Sequence, residues 1–171
     1  VAGRIDFDEH RLARIGATIT GRVTEIDAWL GQDVKKGAVL ARLNSSELSE
    51  QQLAYLKARA ELELNRRNAE RAKALFEADV IGAAELQRRE SEYKISQAET
   101  RAASDQLQLL GVSPAAIERL GKQGEINSVT PVTATMSGVV VERKLAQGQV
   151  VQPADSLFVI ADLSRLWAVA Q

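Results

Sequence analysis

Residues 17–43 read ATITGRVTEIDAWLGQDVKKGAVLARL, and residues 134–160 read ATMSGVVVERKLAQGQVVQPADSLFVI. At a constant offset of 117 residues the two align without a gap and share nine of 27 positions. The shared pairs are Ala17/Ala134, Thr18/Thr135, Gly21/Gly138, Val23/Val140, Glu25/Glu142, Gly31/Gly148, Gln32/Gln149, Val34/Val151 and Leu40/Leu157. Two turn glycines and a common apolar alternation make one motif used twice a better account than chance. Within each copy, short alternating runs are broken by turn signals such as Gly31-Gln32-Asp33 and Lys36-Gly37. A stretch this short encloses too little interior to fold alone. The copies are therefore expected to pack on each other as a pseudo-two-fold β sandwich.

Residues 44–133 separate the copies. Their core, Glu47 to Gly111, reads as two long helices, about Ser46–Ala78 and Ala83–Leu110, joined at Asp79-Val80-Ile81-Gly82. Neither arm contains Pro or Gly, and both are rich in strong helix formers. Leu48, Tyr55, Leu62, Ala69 and Phe76 recur every seven residues, as do Leu86, Tyr93, Thr100 and Leu107. That repeat holds one stripe toward a partner helix. The short connection requires an antiparallel return, and each arm should be about 40–50 Å long. The outer faces are charged, with pairs such as Glu63–Arg67 and Glu85–Arg89 at helical spacing. Gly111 is a helix stop. Ser113 and Pro114 then open a short helix over Ala115–Leu120, which Gly121 and Gly124 end, before an extended return along Glu125–Val132. The insertion should leave and re-enter the sandwich at adjacent points, giving an α+β chain.

Composition narrows the function. The formal net charge is −1 and only 4% of residues are aromatic, which argues against a nucleic-acid surface. The absence of cysteine excludes disulfides, thiolate metal sites and cysteine nucleophiles. No run of about twenty apolar residues offers a membrane span, and this stretch shows no signal-peptide pattern, which carries little weight in a fragment. The chain opens in mid-pattern at Val1 and stops at Gln171 within a strand-like run, which reads as a fragment. Asp6, Asp8, Glu9 and His10 can be drawn as a metal cluster, but a solvated acidic turn accounts for them. No nucleophile–base pair, phosphate loop or metal dyad is visible, so the chain does not read as an enzyme.

Each copy resembles half of a biotinyl/lipoyl carrier domain. Two such halves split by a helical hairpin resemble the periplasmic adaptor subunits (membrane fusion proteins) of tripartite efflux systems. The residues that carry the likeness are Gly31-Gln-Asp-Val-Lys-Lys-Gly37 with Leu40, Gly138-Val-Val, Gly148-Gln-Val-Val151 and Leu157-Phe-Val-Ile-Ala-Asp-Leu-Ser-Arg-Leu-Trp167. Glu50-Gln-Gln-Leu-Ala-Tyr-Leu-Lys-Ala58 and the Leu110-Gly111 turn are similar to the heavy-metal branch, which serves resistance-nodulation-division pumps. The family's tip motif is an Arg, a Leu four residues on and a Ser seven further. Arg71 and Leu75 match it, and Gly82 stands where the Ser would be. A second departure is Ala134-Thr135, where the family has Ala-Pro.

The resemblance implies a division into 1–16 (first strands of a truncated β barrel), 17–45 (lipoyl-like half 1), 46–111 (hairpin), 112–132 (short helix and return), 133–160 (half 2) and 161–171 (returning barrel strand). The last segment would be positioned to pair with the opening one. The resemblance further implies a structural adaptor, periplasmic and anchored to the inner membrane in the full-length protein; with His10 and Met136 far apart and no carrier lysine, no cofactor and no strong metal site are expected within this stretch. The adaptor would couple an inner-membrane pump of that class to an outer-membrane channel and self-associate as a hexamer, with heavy-metal cations as the cargo. Arg71, Leu75, Phe76, Val80, Ile81 and Gly82 would be the channel-binding tip; the alternative is that they only close the hairpin end. An adaptor of an ABC-type exporter or type I secretion system shares the architecture. A lipoyl or biotinyl carrier is a remote alternative, because residues 44–133 replace its lysine-bearing turn, Lys35-Lys36 lies in a different turn, and Met136-Ser137 offers no lysine.

Overall fold

A computed structural model describes the backbone of residues 3–7, 11–153, 155–163 and 166–170, and side chains over 11–153 and 155–163. The chain forms two compact units, Val1–Glu47 with Ser128–Gln171, and Leu48–Asn127.

The first unit holds the strands β1 (Gly3–Phe7), β2 (Leu12–Gly16), β3 (Gly21–Ile26), β4 (Asp33–Val34), β5 (Val39–Asn44), β6 (Val129–Thr133), β7 (Gly138–Arg143), β8 (Val150–Val151), β9 (Ser156–Ala161) and β10 (Leu166–Ala170). Two four-stranded antiparallel sheets run β2-β9-β7-β4 and β6-β5-β3-β8. A shift of 117 residues carries every strand of the first set onto its counterpart: β2 onto β6, β3 onto β7, β4 onto β8 and β5 onto β9. The copies are interlocked. Each lends its two-residue strand to a sheet centred on the other, β4 pairing with β7 and β8 with β3. One core is shared by both sheets, with Val23, Leu40, Leu43 and Val132 from one and Ile15, Val140, Phe158 and Ile160 from the other.

Leu12–Gly16 is expected from the sequence to open a separate barrel. Instead it pairs along its length with β9, and Ile15 enters the core. Its counterpart β6, expected as part of the return segment, pairs with β5. These strands share no identical residue across the repeat, so alignment alone stops at residue 17. β1 and β10 form a separate two-stranded antiparallel sheet, Gly3 opposite Ala170. The acidic turn Asp8-Glu9-His10 lies outside the described residues.

The repeated Gly-Gln-x-Val has a physical account. Gly31 and Gly148 adopt φ of 81° and 83°, a region open to glycine. Their N–H groups donate across the sandwich to the Val140 and Val23 carbonyls, each at 2.8 Å. The Gln32 Oε1 accepts from the Trp29 N–H at 3.0 Å, and the Gln149 Oε1 from the Ala146 N–H at 2.9 Å, closing both turns alike. Val34 and Val151 are buried. Met136 packs against the core.

In the second unit, α1 (Ser46–Glu77) and α2 (Ala83–Leu109) form the hairpin, followed by α3 (Pro114–Gln123). Their seam is narrow and partly polar. Leu48, Tyr55, Ala69, Ala72, Ser96 and Leu107 are buried, whereas Leu62, Leu86, Tyr93 and Thr100 are half-buried. Asn65 donates to the Ser96 hydroxyl at 2.6 Å, and the Thr100 hydroxyl lies 3.1 Å from the Ala58 carbonyl. These polar contacts pin the register, setting Asn65 level with Ser96 and Ala58 level with Thr100. Gln52 is buried and brackets the Asn127 backbone, donating to its carbonyl and accepting from its N–H. Glu63 pairs with Arg66 and Arg67, and Glu85 with Arg88 and Arg89.

α3 runs further than the sequence suggests. Ser113 caps it and Pro114 opens it, but it passes through Gly121 and stops at Gly124, whose φ is 70°. A mid-helix glycine is unfavourable by about 0.5–1 kcal/mol relative to alanine. Here it leaves room for a neighbour: a Cβ at Gly121 would fall 1.6 Å from the Arg59 Nη1.

Candidate functional site

The hairpin turn is built by two unlike caps. α1 stops after Glu77 because Asp79 turns left-handed, at φ 57°. The Val80 N–H then reaches back to the Leu75 carbonyl (2.9 Å) and the Asp79 N–H to the Phe76 carbonyl (3.0 Å). This is the Schellman arrangement, with Asp where Gly is usual. The same pattern ends α2, where Val112 bonds to Leu107 and Gly111 to Gln108, with Gly111 at φ 87°. α2 starts from Gly82, at φ −81° and ψ 162°, whose carbonyl accepts from the Glu85 and Leu86 N–H groups. With no side chain, Gly82 leaves the cap's usual side-chain acceptor absent.

This backbone sets an apolar surface outward. Leu75 is 37% exposed, Phe76 40% and Val80 66%, while Ile81 is half-buried. Phe76 continues the seven-residue repeat in sequence, yet it is exposed because the seam ends at Ala72. Arg71, one turn below Leu75, is exposed and makes no hydrogen bond or ion pair among the described residues. The expected tip residues thus share one end of the hairpin, a cation beside four apolar side chains. A contact area of this kind suits recognition of another protein.

Among the described residues no group of three or more His, Asp or Glu converges on a common ion position. Among them, too, no helix is long and apolar enough to cross a membrane. A groove of about 590 Å³ follows the hairpin flank between Tyr55, Arg59, Arg66 and Tyr93. Electrostatics are local to the helix pairs. The Arg66 and Arg67 guanidiniums hold the Glu63 carboxyl down to about 2, and Arg88 and Lys122 lower Glu85 and Glu118 in the same sense.

Two features escaped the sequence reading. Trp29 and Leu30 stand 59% and 61% exposed at the β3–β4 turn, with Arg143 5.2 Å from the Trp29 ring. Ala146 and Gln147 occupy the matching turn of the second copy, so this turn geometry does not itself need an exposed Trp-Leu. Leu53, Leu64, Ile95 and Leu109 are also exposed along the hairpin. The eleven-residue spacing of Leu53, Leu64 and Leu75 was the signal available for the first two.

Comparison with known proteins agrees with this architecture. The family described as CzcB-like, barrel-sandwich hybrid domain matches residues 11–162. The chain belongs to that family. It is 29% identical to the cobalt-zinc-cadmium resistance protein CzcB of Cupriavidus metallidurans, over 97% of this chain and 30% of that protein. The cation efflux system protein CzcB of an Alcaligenes species matches to the same extent. The chain therefore spans 30% of the length of the curated relatives it matches. The crystal structure of ZneB from Cupriavidus metallidurans superposes with a TM-score of 0.77 at 26% identity, over 97% of this chain and 66% of that one. A MacA-MexA chimera carrying the Pseudomonas aeruginosa MexA α-hairpin shares the fold at 22% identity and a TM-score of 0.59, over 97% and 50% of the two chains. In this CzcB-like chain the match covers both sheets and the inserted hairpin together.

Proposed function

We propose that this CzcB-like chain is the sandwich-and-hairpin part of a periplasmic adaptor that couples an inner-membrane resistance-nodulation-division pump to an outer-membrane channel in heavy-metal cation efflux. The family match over residues 11–162 carries the reading. The resistance and cation-efflux names of the CzcB relatives support the cargo class. In this reading the chain works by structural coupling, not catalysis. Copies assemble, as a hexamer in the full protein anchored to the inner membrane, and each hairpin end meets a helical end of the channel.

Arg71, Leu75, Phe76, Val80, Ile81 and Gly82 make the contact. Three apolar side chains left at least a third exposed gain from burial against a partner, and Arg71, without an ion pair among the described residues, suits a carboxylate or a carbonyl at a helix C-terminus. The test is binding to the detergent-solubilised outer-membrane channel. Arg71→Asp and Leu75→Asp each remove a central contact and should weaken binding by tenfold or more, an effect of about 1.4 kcal/mol or above. Helicity should stay unchanged by circular dichroism. Equal binding by wild type and folded variants would place the contact elsewhere.

A further inference from the structure

The groove on the hairpin flank is walled by all three helices of the second unit. α1 gives most of its lining, α2 adds Tyr93 and Thr100, and α3 adds Gly121. Its volume of about 590 Å³ is in the range that takes a small organic ligand. The α1 residues that line it run from Tyr55 to Arg66, so it follows the helix for about 16 Å. Leu56, Ala60 and Leu62 make its middle apolar.

The polar capacity left over in this groove belongs to donors. Glu63 on its wall is taken by Arg66 and Arg67, and Arg66 also by Glu70. The Thr100 hydroxyl is engaged by the Ala58 and Ser96 carbonyls. Arg59 is different: it is half-buried and makes no hydrogen bond or ion pair among the described residues. Glu118, the acid close enough to feel its charge, is bonded by Lys122 at 2.6 Å. Tyr55 is 8% exposed and Tyr93 half-buried, and neither hydroxyl has a hydrogen-bond partner among the described residues. No buried side-chain polar atom there lacks a partner, so both hydroxyls are open to the groove. A guanidinium only donates, and a phenol can donate. A half-buried fork of donors beside an apolar wall complements a carboxylate attached to an apolar body. Gly121 makes the room for that fork, because the Arg59 guanidinium lies where any other residue would begin its side chain.

We propose that this groove binds a single-chain aliphatic carboxylate. The head group meets Arg59, with the Tyr55 hydroxyl one helical turn away as a second donor, and the chain lies along Leu56, Ala60 and Leu62 toward Tyr93. An elongated groove whose lining holds, among the described residues, one cation without a counter-charge fits one chain with one acidic head; a two-chain lipid exceeds its volume. The bound molecule bridges α1, α2 and α3, so it stabilises the folded hairpin by mass action. The site stands apart from the hairpin end, and neither Arg59 nor Gly121 belongs to the tip.

The probe is dodecanoate, kept below the concentration at which it forms micelles and titrated calorimetrically into the whole chain. Saturable binding of one equivalent is expected, with a melting temperature that rises as dodecanoate is added. Arg59→Gln should weaken binding by about tenfold or more, the loss of a charge-assisted bond. Gly121→Ala is the sharper variant. It favours the helix yet displaces the Arg59 head, so helicity at 222 nm should hold while affinity falls severalfold. Ile95→Gln, about 200° around α2 from Tyr93, should leave affinity unchanged. Dodecylammonium has the same chain and the opposite charge, and should bind at least tenfold more weakly. Equal binding of the two amphiphiles, or an Ile95→Gln loss as large as that of Arg59→Gln, would mean adsorption to exposed apolar surface and overturn the proposal. Absence of saturable binding, or full affinity in Arg59→Gln and Gly121→Ala, would overturn it as well.

Discussion

At the scale of single residues, the shared positions of the repeat are those with a distinct physical task. Gly31 and Gly148 hold a left-handed turn, Gln32 and Gln149 close it, and Val34 and Val151 fill the core behind it. Gly21 and Gly138 are small for another reason: a Cβ there would come within 2.9 Å of the Asn44 carbonyl oxygen and 2.4 Å of that of Ala161. These needs were legible in sequence as identities. The closure by Gln was not, because a side chain bonding to a backbone three residues earlier leaves no pattern. Gly82 is the informative departure. It sits at the start of α2 in an extended conformation that any L-residue adopts, with open space where a Cβ would go. Gly82→Ser should add an acceptor for the first turn and raise hairpin stability by a few tenths of a kcal/mol. Thermal unfolding followed at 222 nm in the absence of channel checks this, and a lowered midpoint would count against a capping role for this position.

At the scale of elements, the hairpin is a thin structure held by a narrow seam and a laced surface. The heptad placed Tyr55, Ala69 and Leu107 correctly in the seam, because the spacing alone decides which residues share a face. It could not reveal that Asn65, Ser96 and Thr100 would set the register through hydrogen bonds, since their pairing depends on how the arms are offset. The surface pairs predict an acid response. Glu63 titrates near 2 in the folded hairpin against 4.5 for the free side chain, because the Arg66 and Arg67 guanidiniums bond its charged form. A carboxyl depressed on folding lends stability that is complete above its unfolded value and is lost as pH falls toward its folded value. The hairpin's melting temperature should therefore decline between about pH 4.5 and pH 2, and decline less in Glu63→Gln. Equal slopes for the two proteins would show that these bonds do not persist in solution. Salt should shrink the difference, since the groups face solvent.

At the scale of the whole molecule, the insertion and the sandwich are separable. The hairpin leaves from β5 and returns into β6, and those strands are hydrogen-bonded neighbours with Asn44 opposite Val129. The Ser45 N–H donates to the Ser128 carbonyl at 2.9 Å, closing the ladder at that point. The buried core residues of the two four-stranded sheets all lie outside Leu48–Asn127. Replacing Ser46–Asn127 by a short glycine-rich turn should leave a cooperatively folding β protein with its helical signal at 222 nm gone. An unfolded spectrum would show that the sandwich depends on the hairpin. The interlocking of the copies predicts the opposite for a cut between them in the sandwich, because each sheet takes strands from both.

The sequence by itself determined the repeat, the two-helix insertion, the turn positions and the residues at the hairpin end. Each of these depends on local spacing: alternation for strands, seven-residue recurrence for the seam, and glycine or proline where the backbone turns. The tertiary structure alone decided that β4 and β8 change sheets, that Leu12–Gly16 joins the sandwich, and that α3 runs through Gly121 under Arg59. It also decided which apolar residues stay outside the seam, and that Tyr55, Arg59 and Tyr93 line one groove. Those outcomes turn on which distant groups come together, and a two-residue strand or a bare helix position carries no local signal of its partner.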